Sequence, residues 1–198
     1  MSGVKVAGVL LGGGSSTRFG RPKLEERFDG RRLLDIACEN FLEAGLEPVV
    51  YCGLGDPEDG RVLRAGRGEE EMIGTLRSGL RTLPEGPFAF APADMPALSP
   101  ELIRMLLETF LEGYHEFLVP SYHRHRGHPA FARDREPFFR LGDRGGAREV
   151  LHVAGDTLHH VTVDTADILF DVDTPEDLAA AGSADSRHQR LVERGTLS

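Results

Sequence analysis

The chain has 198 residues, 40% of them hydrophobic and 28% charged, and its 32 acidic side chains outnumber the 23 basic ones for a net charge of −9. That balance excludes a broad nucleic-acid surface, and no apolar stretch is long enough to span a bilayer. Two cysteines, Cys38 and Cys52, make neither a disulfide framework nor a metal-ligand spacing, and both are expected in or near the core.

The first predicted element is a buried strand over Val4–Leu11. Gly12 to Gly14 end this apolar run too early for a secretion signal, so the cytoplasm is the expected location. The loop that follows is rich in chemistry. Three consecutive glycines let backbone N–H groups approach an anion closely, and Arg18 and Lys23 add full positive charge. Lysine occurs only at positions 5 and 23 in a chain that otherwise uses arginine, so a compact point charge has been kept at Lys23. The loop reads as a binder of nucleotide phosphates. It is not a P-loop, because Pro22 precedes Lys23 and Leu24 follows it. Nor is it a dinucleotide fingerprint, because Thr17 stands where the third glycine belongs and Pro22 blocks a helix.

Downstream, Leu33–Ala44 reads as a helix stopped by Gly45, and Val49–Cys52 as a strand. A polar, glycine-rich stretch then leads to a helix over Met72–Leu83, a strand over Phe88–Ala91, a helix capped by Ser99 and running from Pro100 to Leu111, and a strand over Phe117–Val119. This alternation predicts a mostly parallel sheet with helices on both faces. The stretch 122–153 breaks the rhythm and reads as a lid or acceptor-binding insertion. Val161–Val163 and Ile168–Val172 read as late, antiparallel strands. Thr174 caps a last helix that has Pro175 first and Glu176 and Asp177 in its opening turn. Residues 183–198 are polar and expected to be loosely held. The expected organisation is one domain over 1–182, the lid at 122–153 included, followed by a tail over 183–198.

Asp94 follows a strand and precedes a Met95-Pro96 turn, where a carboxylate points into the crevice in which open α/β sheets bind ligands. A hard oxygen ligand there suits Mg²⁺ beside substrate phosphates. Asp173 is the second candidate, and Asp171 an alternative to it because strand alternation puts the two on one face. His123, His125 and His128 have a spacing that invites zinc, but Arg124 and Arg126 between them would repel a cation.

Four segments in order resemble the nucleotidyltransferases of the molybdenum-cofactor (MobA/MocA-like) type. Leu11, Gly14, Ser16, Arg18, Gly20 and Lys23 match its opening signature; Ala93-Asp94-Met95-Pro96 is similar to its metal-binding turn; Arg126-Gly127-His128-Pro129 resembles a segment of its cytidylyltransferase branch; Asp171-Val172-Asp173-Thr174-Pro175-Glu176-Asp177-Leu178 resembles its closing segment. The resemblance implies a single-domain, three-layer α/β/α Rossmann-like fold with a mostly parallel sheet and a late antiparallel strand. It implies transfer of a nucleotide from CTP or GTP to an anionic phosphorylated acceptor, most naturally molybdopterin, with release of pyrophosphate. Leu11, Gly12, Gly13, Gly14, Ser16, Arg18, Lys23, Thr75 and Gly79 would bind the nucleotide; Arg18, Lys23 and Asp94 would be catalytic; Asp94 and Asp173 would hold Mg²⁺; Arg126, His128 and Arg148 would bind the acceptor. A transient molybdoenzyme or chaperone partner is implied as well, and neither nucleic acid nor membrane.

The sequence departs from the family pattern at Thr75, where serine is usual, at Glu71, where glycine is usual, and at Gly146, one extra residue ahead of Arg148. The base is marked in two directions. Leu11-Gly12-Gly13-Gly14 leans towards GTP users and Arg126-Gly127-His128-Pro129 towards the cytidylyltransferase branch. The longer match favours that branch, and the base stays open. A sugar phosphate as acceptor keeps the same chemistry. A binding module without turnover would need neither Lys23 nor a metal carboxylate at Asp94.

Overall fold

Strand β1 (Ala7–Gly12) is buried along almost all its length, because successive side chains enter different layers. Ala7, Val9 and Leu11 belong to one apolar cluster, Val6 and Leu10 to the other. A strand buried on both faces is what parallel sheets under two helix layers require. In the computed structural model, which describes residues 4–12, 22–66, 72–140 and 146–197, the chain runs from β1 through a 3₁₀ turn at Lys23–Glu25 and a small hairpin, β2 (Arg27–Phe28) and β3 (Arg31–Arg32), into α1 (Leu33–Glu43). There follow β4 (Val49–Gly53), β5 (Leu63–Arg64), α2 (Met72–Thr82), β6 (Phe88–Pro92), α3 (Pro100–Glu112) and β7 (Phe117–Tyr122). The second half contains β8 (His125–Arg126), β9 (Ala130–Ala132), α4 (Glu136–Arg140), α5 (Ala147–Val153), β10 (Leu158–Thr162), a 3₁₀ turn at Ala166–Leu169, α6 (Pro175–Ala180) and α7 (Ala184–Glu193).

The main sheet has the order β10-β7-β9-β6-β1-β4-β5, with β8 attached to β7. β4, β1 and β6 pair in parallel, as do β7 and β10, whereas β9 is antiparallel to both β6 and β7. Helices α1, α3 and α7 contribute to the apolar cluster on one face; α2, α4 and α5 build the other. Among the described residues no helix is long and apolar enough to cross a membrane. The expected helix signals act as read: the Ser99 side chain accepts from the Leu102 N–H at 3.2 Å, and Gly45 ends α1 with φ +96°.

Three expectations change. The late strand at 158–162 is parallel, and the antiparallel strands of the main sheet are the earlier β8 and β9, inside the stretch read as a lid. Ala130, Phe131 and Ala132 are all buried in the middle of the sheet, so that part of 122–153 is core. A three-residue strand is too short for alternation to be visible in sequence. Second, Ile168 lies in a 3₁₀ turn and not in a strand, because Thr165 accepts from the Asp167 N–H at 3.3 Å and starts the turn. Third, the C-terminal segment is ordered as α7, capped by Ser183, with Leu191 fully buried.

Cys38 and Cys52 are buried and free, one in each apolar cluster. Burial pushes their thiols up to about 12 and about 11, which leaves no reactive thiolate at neutral pH. Gly79 of α2 lies where the helix approaches the sheet most closely: a Cβ there would stand 2.7 Å from Val9 Cγ1 and 2.8 Å from Cys52 Sγ. Gly79→Val is therefore expected to cost about 1–3 kcal/mol by overpacking and to lower the melting temperature by about 3–10 °C. Thermal unfolding followed by circular dichroism measures it.

Candidate active site

The parallel register of β1 and β6 continues past the strands, since the Ala93 N–H donates to the Leu11 carbonyl at 2.9 Å. This puts Gly12 and Asp94 at the carboxyl ends of adjacent parallel strands, the usual ligand crevice of an open α/β sheet. A further backbone bond, from the Val172 N–H to the Asp94 carbonyl at 2.9 Å, draws in the segment 171–173. Asp171 and Asp173 flank Val172, so both face the same way. Asp94, Asp171 and Asp173 each offer an oxygen, and all three oxygens lie within 4.8 Å of one another.

Lys23 closes the constellation. It opens the 3₁₀ turn after Pro22, and its Nζ donates to Asp94 Oδ2 at 2.5 Å and to Asp173 Oδ1 at 2.9 Å. Burial works against the ammonium, but Asp94 and Asp173 outweigh it and hold the Lys23 pKa above the ordinary lysine value. Burial raises the Asp94 pKa; Lys23 opposes the rise, and Asp171 and Asp173 add to it. The second oxygen of Asp94, Oδ1, is buried without a hydrogen-bond partner. An unsatisfied carboxylate oxygen beside two more carboxylates is a hard, all-oxygen donor set, and it fits Mg²⁺ or a similar cation.

Asp177 secures this segment from behind. It is fully buried, and its Oδ2 accepts from the N–H groups of Asp173 at 3.0 Å and Thr174 at 2.8 Å, while the Thr174 hydroxyl accepts from the Asp177 N–H at 3.2 Å. This is a capping box at the start of α6. It fixes the backbone that carries Asp173.

A cavity of about 780 Å³ has walls that include Arg124, Arg126, Arg148, His125, His152, Glu149 and Thr196. Arg126 and Arg148, 22 positions apart, are thus brought to one anion-friendly cavity. Leu169 also lines it, two residues before Asp171 in the chain. Arg124 and His125 belong to the segment whose histidine spacing invited zinc, and His152 carried no sequence signal at all. Arg124 has φ +69° at the tip of the β7–β8 turn, a conformation that sequence reading does not anticipate for arginine.

His128 behaves differently. Its ring contacts the Phe90 ring edge-on at 6.5 Å, hydrogen-bonds to the Phe90 backbone and leaves Nδ1 buried without a partner. Burial pushes its pKa down to about 4, the Phe90 hydrogen bond opposing and the Arg148 charge assisting, so it carries no charge at neutral pH. Gly127 is required by a close approach, because a Cβ there would run into Ile168. The Gly127 N–H donates to the Pro120 carbonyl at 2.9 Å, and the His128 N–H to the Ile168 carbonyl at 2.9 Å. The Gly-His part of the Arg126–Pro129 segment is thus accounted for by packing.

Thr75 is fully buried on α2, and Gly79 packs on Val9 and Cys52 as described above. Leu11 is buried at the end of β1, and a Cβ on Gly12 would meet the Tyr51 ring. Gly13, Gly14, Ser16, Arg18 and Gly20 lie outside the described residues. Among the described residues the His123/His125/His128 spacing forms no metal-ligand cluster.

With this geometry in view, residues 8–161 match the MobA-like NTP transferase domain. A protein of Natranaerobius thermophilus named "Probable molybdenum cofactor guanylyltransferase" is 25% identical over 195 residues, covering 89% of this chain and 94% of its own. One of the same name from Pyrococcus horikoshii is 26% identical over 191 residues, with coverages of 88% and 98%. The crystal structure of Rv0371c from Mycobacterium tuberculosis superposes with a TM-score of 0.77 at 21% identity, covering 97% of this chain and all of that one, and it shows the shared fold.

Proposed function

The chain belongs to the family of MobA-like NTP transferase domains, and from that premise we propose that it transfers a guanylyl group from GTP to the phosphate of a molybdopterin-type cofactor. The single observation that carries the reading is the Lys23 ammonium bridging Asp94 and Asp173 at the carboxyl end of the sheet. A binding module gains nothing from a buried lysine held over carboxylates; a nucleotidyltransferase needs both signs of charge around one triphosphate.

In the proposed reaction a phosphate oxygen of the acceptor attacks the α-phosphorus of the nucleotide. A new P–O bond forms, the bond to the β-phosphate bridging oxygen breaks, and pyrophosphate leaves with that electron pair. Positioning and charge stabilisation dominate such transfers. Lys23 would move from the aspartates to the non-bridging oxygens near the α-phosphorus, where negative charge builds. Asp94 and Asp173, with Asp171 adjacent, would hold a divalent cation, whose chemistry is to neutralise the triphosphate and orient it. The phosphate-facing roles of Gly13, Gly14, Ser16 and Arg18 are proposed on the loop's composition alone. Arg126 and Arg148 would grip the acceptor, and Arg124 joins them on the same cavity wall. His128, uncharged and turned towards Phe90, would contribute packing and no charge.

The base assignment moves to GTP for two reasons. Gly13 occupies the position at which the opening signature distinguishes GTP users, and the relatives named above are guanylyltransferases by name. The Arg126–Pro129 segment loses weight as a marker of the cytidylyltransferase branch, because packing explains Gly127 and His128. The test is pyrophosphate release from GTP and from CTP with Mg²⁺ and molybdopterin. The expected result is turnover with GTP, with Arg126→Ala and Arg148→Ala each raising the acceptor KM about tenfold or more through loss of a charge-assisted contact. Turnover with CTP alone overturns the base assignment; tight GTP binding without pyrophosphate from any phosphorylated acceptor overturns the enzyme reading.

A further inference from the structure

Helix α7 lies outside the matched family region of residues 8–161, yet it reaches the aspartate cluster. Its arginines at 187, 190 and 194 recur at helical spacing and present one basic face. Each meets an aspartate of the 167–177 segment. Arg187 Nε pairs with Asp167 Oδ1 at 2.7 Å, and Arg190 Nε with Asp177 Oδ1 at 2.7 Å. Arg194, at the C-cap, reaches furthest: its Nη2 lies 3.0 Å from Asp171 Oδ1 and 3.3 Å from Asp173 Oδ2, and its Nη1 donates to the Asp171 carbonyl at 3.1 Å. Two of the three carboxylates that face one another across the site are therefore paired to the same guanidinium.

Charge decides what this does. Among the described residues, Asp94, Asp171 and Asp173 bring three carboxylates together, and Lys23 and Arg194 set positive charge against them. Lys23 sits on a separate turn, at Lys23–Glu25; Arg194 is held by the backbone carbonyl of Asp171 and by the helix that carries it. A fixed positive charge within a few ångströms of a divalent cation opposes its binding strongly at protein dielectric.

We propose that Arg194 is an internal counter-cation that sets the affinity of the aspartate cluster for a divalent metal ion, holding it low while it keeps Asp171 and Asp173 in place. The inference rests on the metal-binding role given to these aspartates above.

The experiment is titration of the full chain with Mn²⁺ alone, followed by electron paramagnetic resonance of the free ion, for wild type, Arg194→Gln, Arg194→Lys and Asp94→Asn, with melting temperatures taken alongside. Arg194→Gln is expected to lower the melting temperature and yet bind Mn²⁺ at least about tenfold more tightly. A merely structural role for Arg194 would weaken both together. Arg194→Lys, which keeps the charge, is expected to stay within about threefold of the wild-type Kd, and this arm stands even if Arg194→Gln fails to fold. Unchanged or weaker Mn²⁺ binding in Arg194→Gln, or a marked tightening in Arg194→Lys, overturns the proposal. Asp94→Asn separates the two readings: if it abolishes binding while Arg194→Gln has no effect, only the role of Arg194 falls; if Mn²⁺ binding survives Asp94→Asn, the metal site itself falls.

Discussion

Lys23→Ala is expected to lower kcat about 10²–10³-fold, equivalent to about 2–4 kcal/mol, the range found when one preorganised donor is removed from a transition state. The ammonium is the one lysine charge in the described site. It is placed by Pro22, which precedes the 3₁₀ turn as its N-cap, and by the bond from the Glu26 N–H back to the Lys23 carbonyl at 3.1 Å. Its folded pKa is raised, so the stability it supplies is fully present below the unfolded lysine value and is lost only as pH rises through the folded one. The charge is therefore constant across the neutral range, and the loss of rate belongs to transfer rather than to titration. Lys23→Arg is not expected to rescue, because a planar guanidinium cannot replace a compact ammonium seated on two carboxylates. Removing Lys23 also strips Asp94 of the only influence that lowers its pKa among Lys23, Asp171 and Asp173. The variant's rate should then fall further on the acid side, as Asp94 protonates at a higher pH than in the wild type. Rates at saturating Mg²⁺ and GTP across pH, with acceptor in excess, measure both effects. Near-normal turnover in Lys23→Ala would remove the transferase mechanism.

The residues that sequence reading singled out for chemistry and the ones it overlooked differ in how local their signals are. Lys23 stands out because lysine is rare in this chain, and Asp94 because it ends an apolar strand. Both signals lie within a few residues of the position they mark, and the structure joins the two at 2.5 Å. Arg194 had no such signal: it is one of 21 arginines, in a polar stretch with few apolar positions. Its importance arises only when α7 folds back on the 167–177 segment, and that contact is non-local. The parallel core of β4, β1 and β6 was visible for the same reason as Asp94, since each strand is a short apolar run followed by a turn or cap. Strand β9 was invisible because three residues, Ala130-Phe131-Ala132, show no period, and because their partners β6 and β7 lie up to 44 positions away. The segment at 168–172 is apolar enough for a strand, but a Thr165 cap turns its start into a 3₁₀ helix. Arg126-Gly127-His128-Pro129 was read for chemistry; its Gly and His turn out to meet demands of packing against Ile168 and Phe90.

Leu191→Ala is expected to destabilise the fold by about 2–5 kcal/mol and to lower the melting temperature by about 5–15 °C. A polar C-terminal tail would tolerate such a change at no cost, so the size of the effect tests whether α7 belongs to the core. Leu191 is 0% exposed and packs in the same cluster as Ile168, Phe170 and Val172, the residues that alternate with the functional aspartates. The Thr196 and Leu197 N–H groups both donate to the Leu191 carbonyl, at 2.9 and 3.2 Å, folding the last turn over the same apolar patch. The arginine–aspartate pairs on the same side of the helix are largely buried, so the cost of desolvating them offsets much of their attraction and they are weaker net anchors than the apolar side chain. Apolar burial at Leu191 therefore holds the helix, and the helix in turn presents Arg190 to Asp177 and Arg194 to Asp171 and Asp173. The Asp177 pKa is lowered: burial raises it, but Arg190, the Asp173 N–H and Thr174 together prevail. Its contribution to stability is thus present above the unfolded carboxylate value and lost as pH falls through the folded one. In Leu191→Ala, where α7 holds these arginines less firmly, the acid-side decline in melting temperature should begin at a higher pH than in the wild type. Denaturation curves at several pH values separate this coupled loss from a simple cavity, which would shift stability equally at every pH.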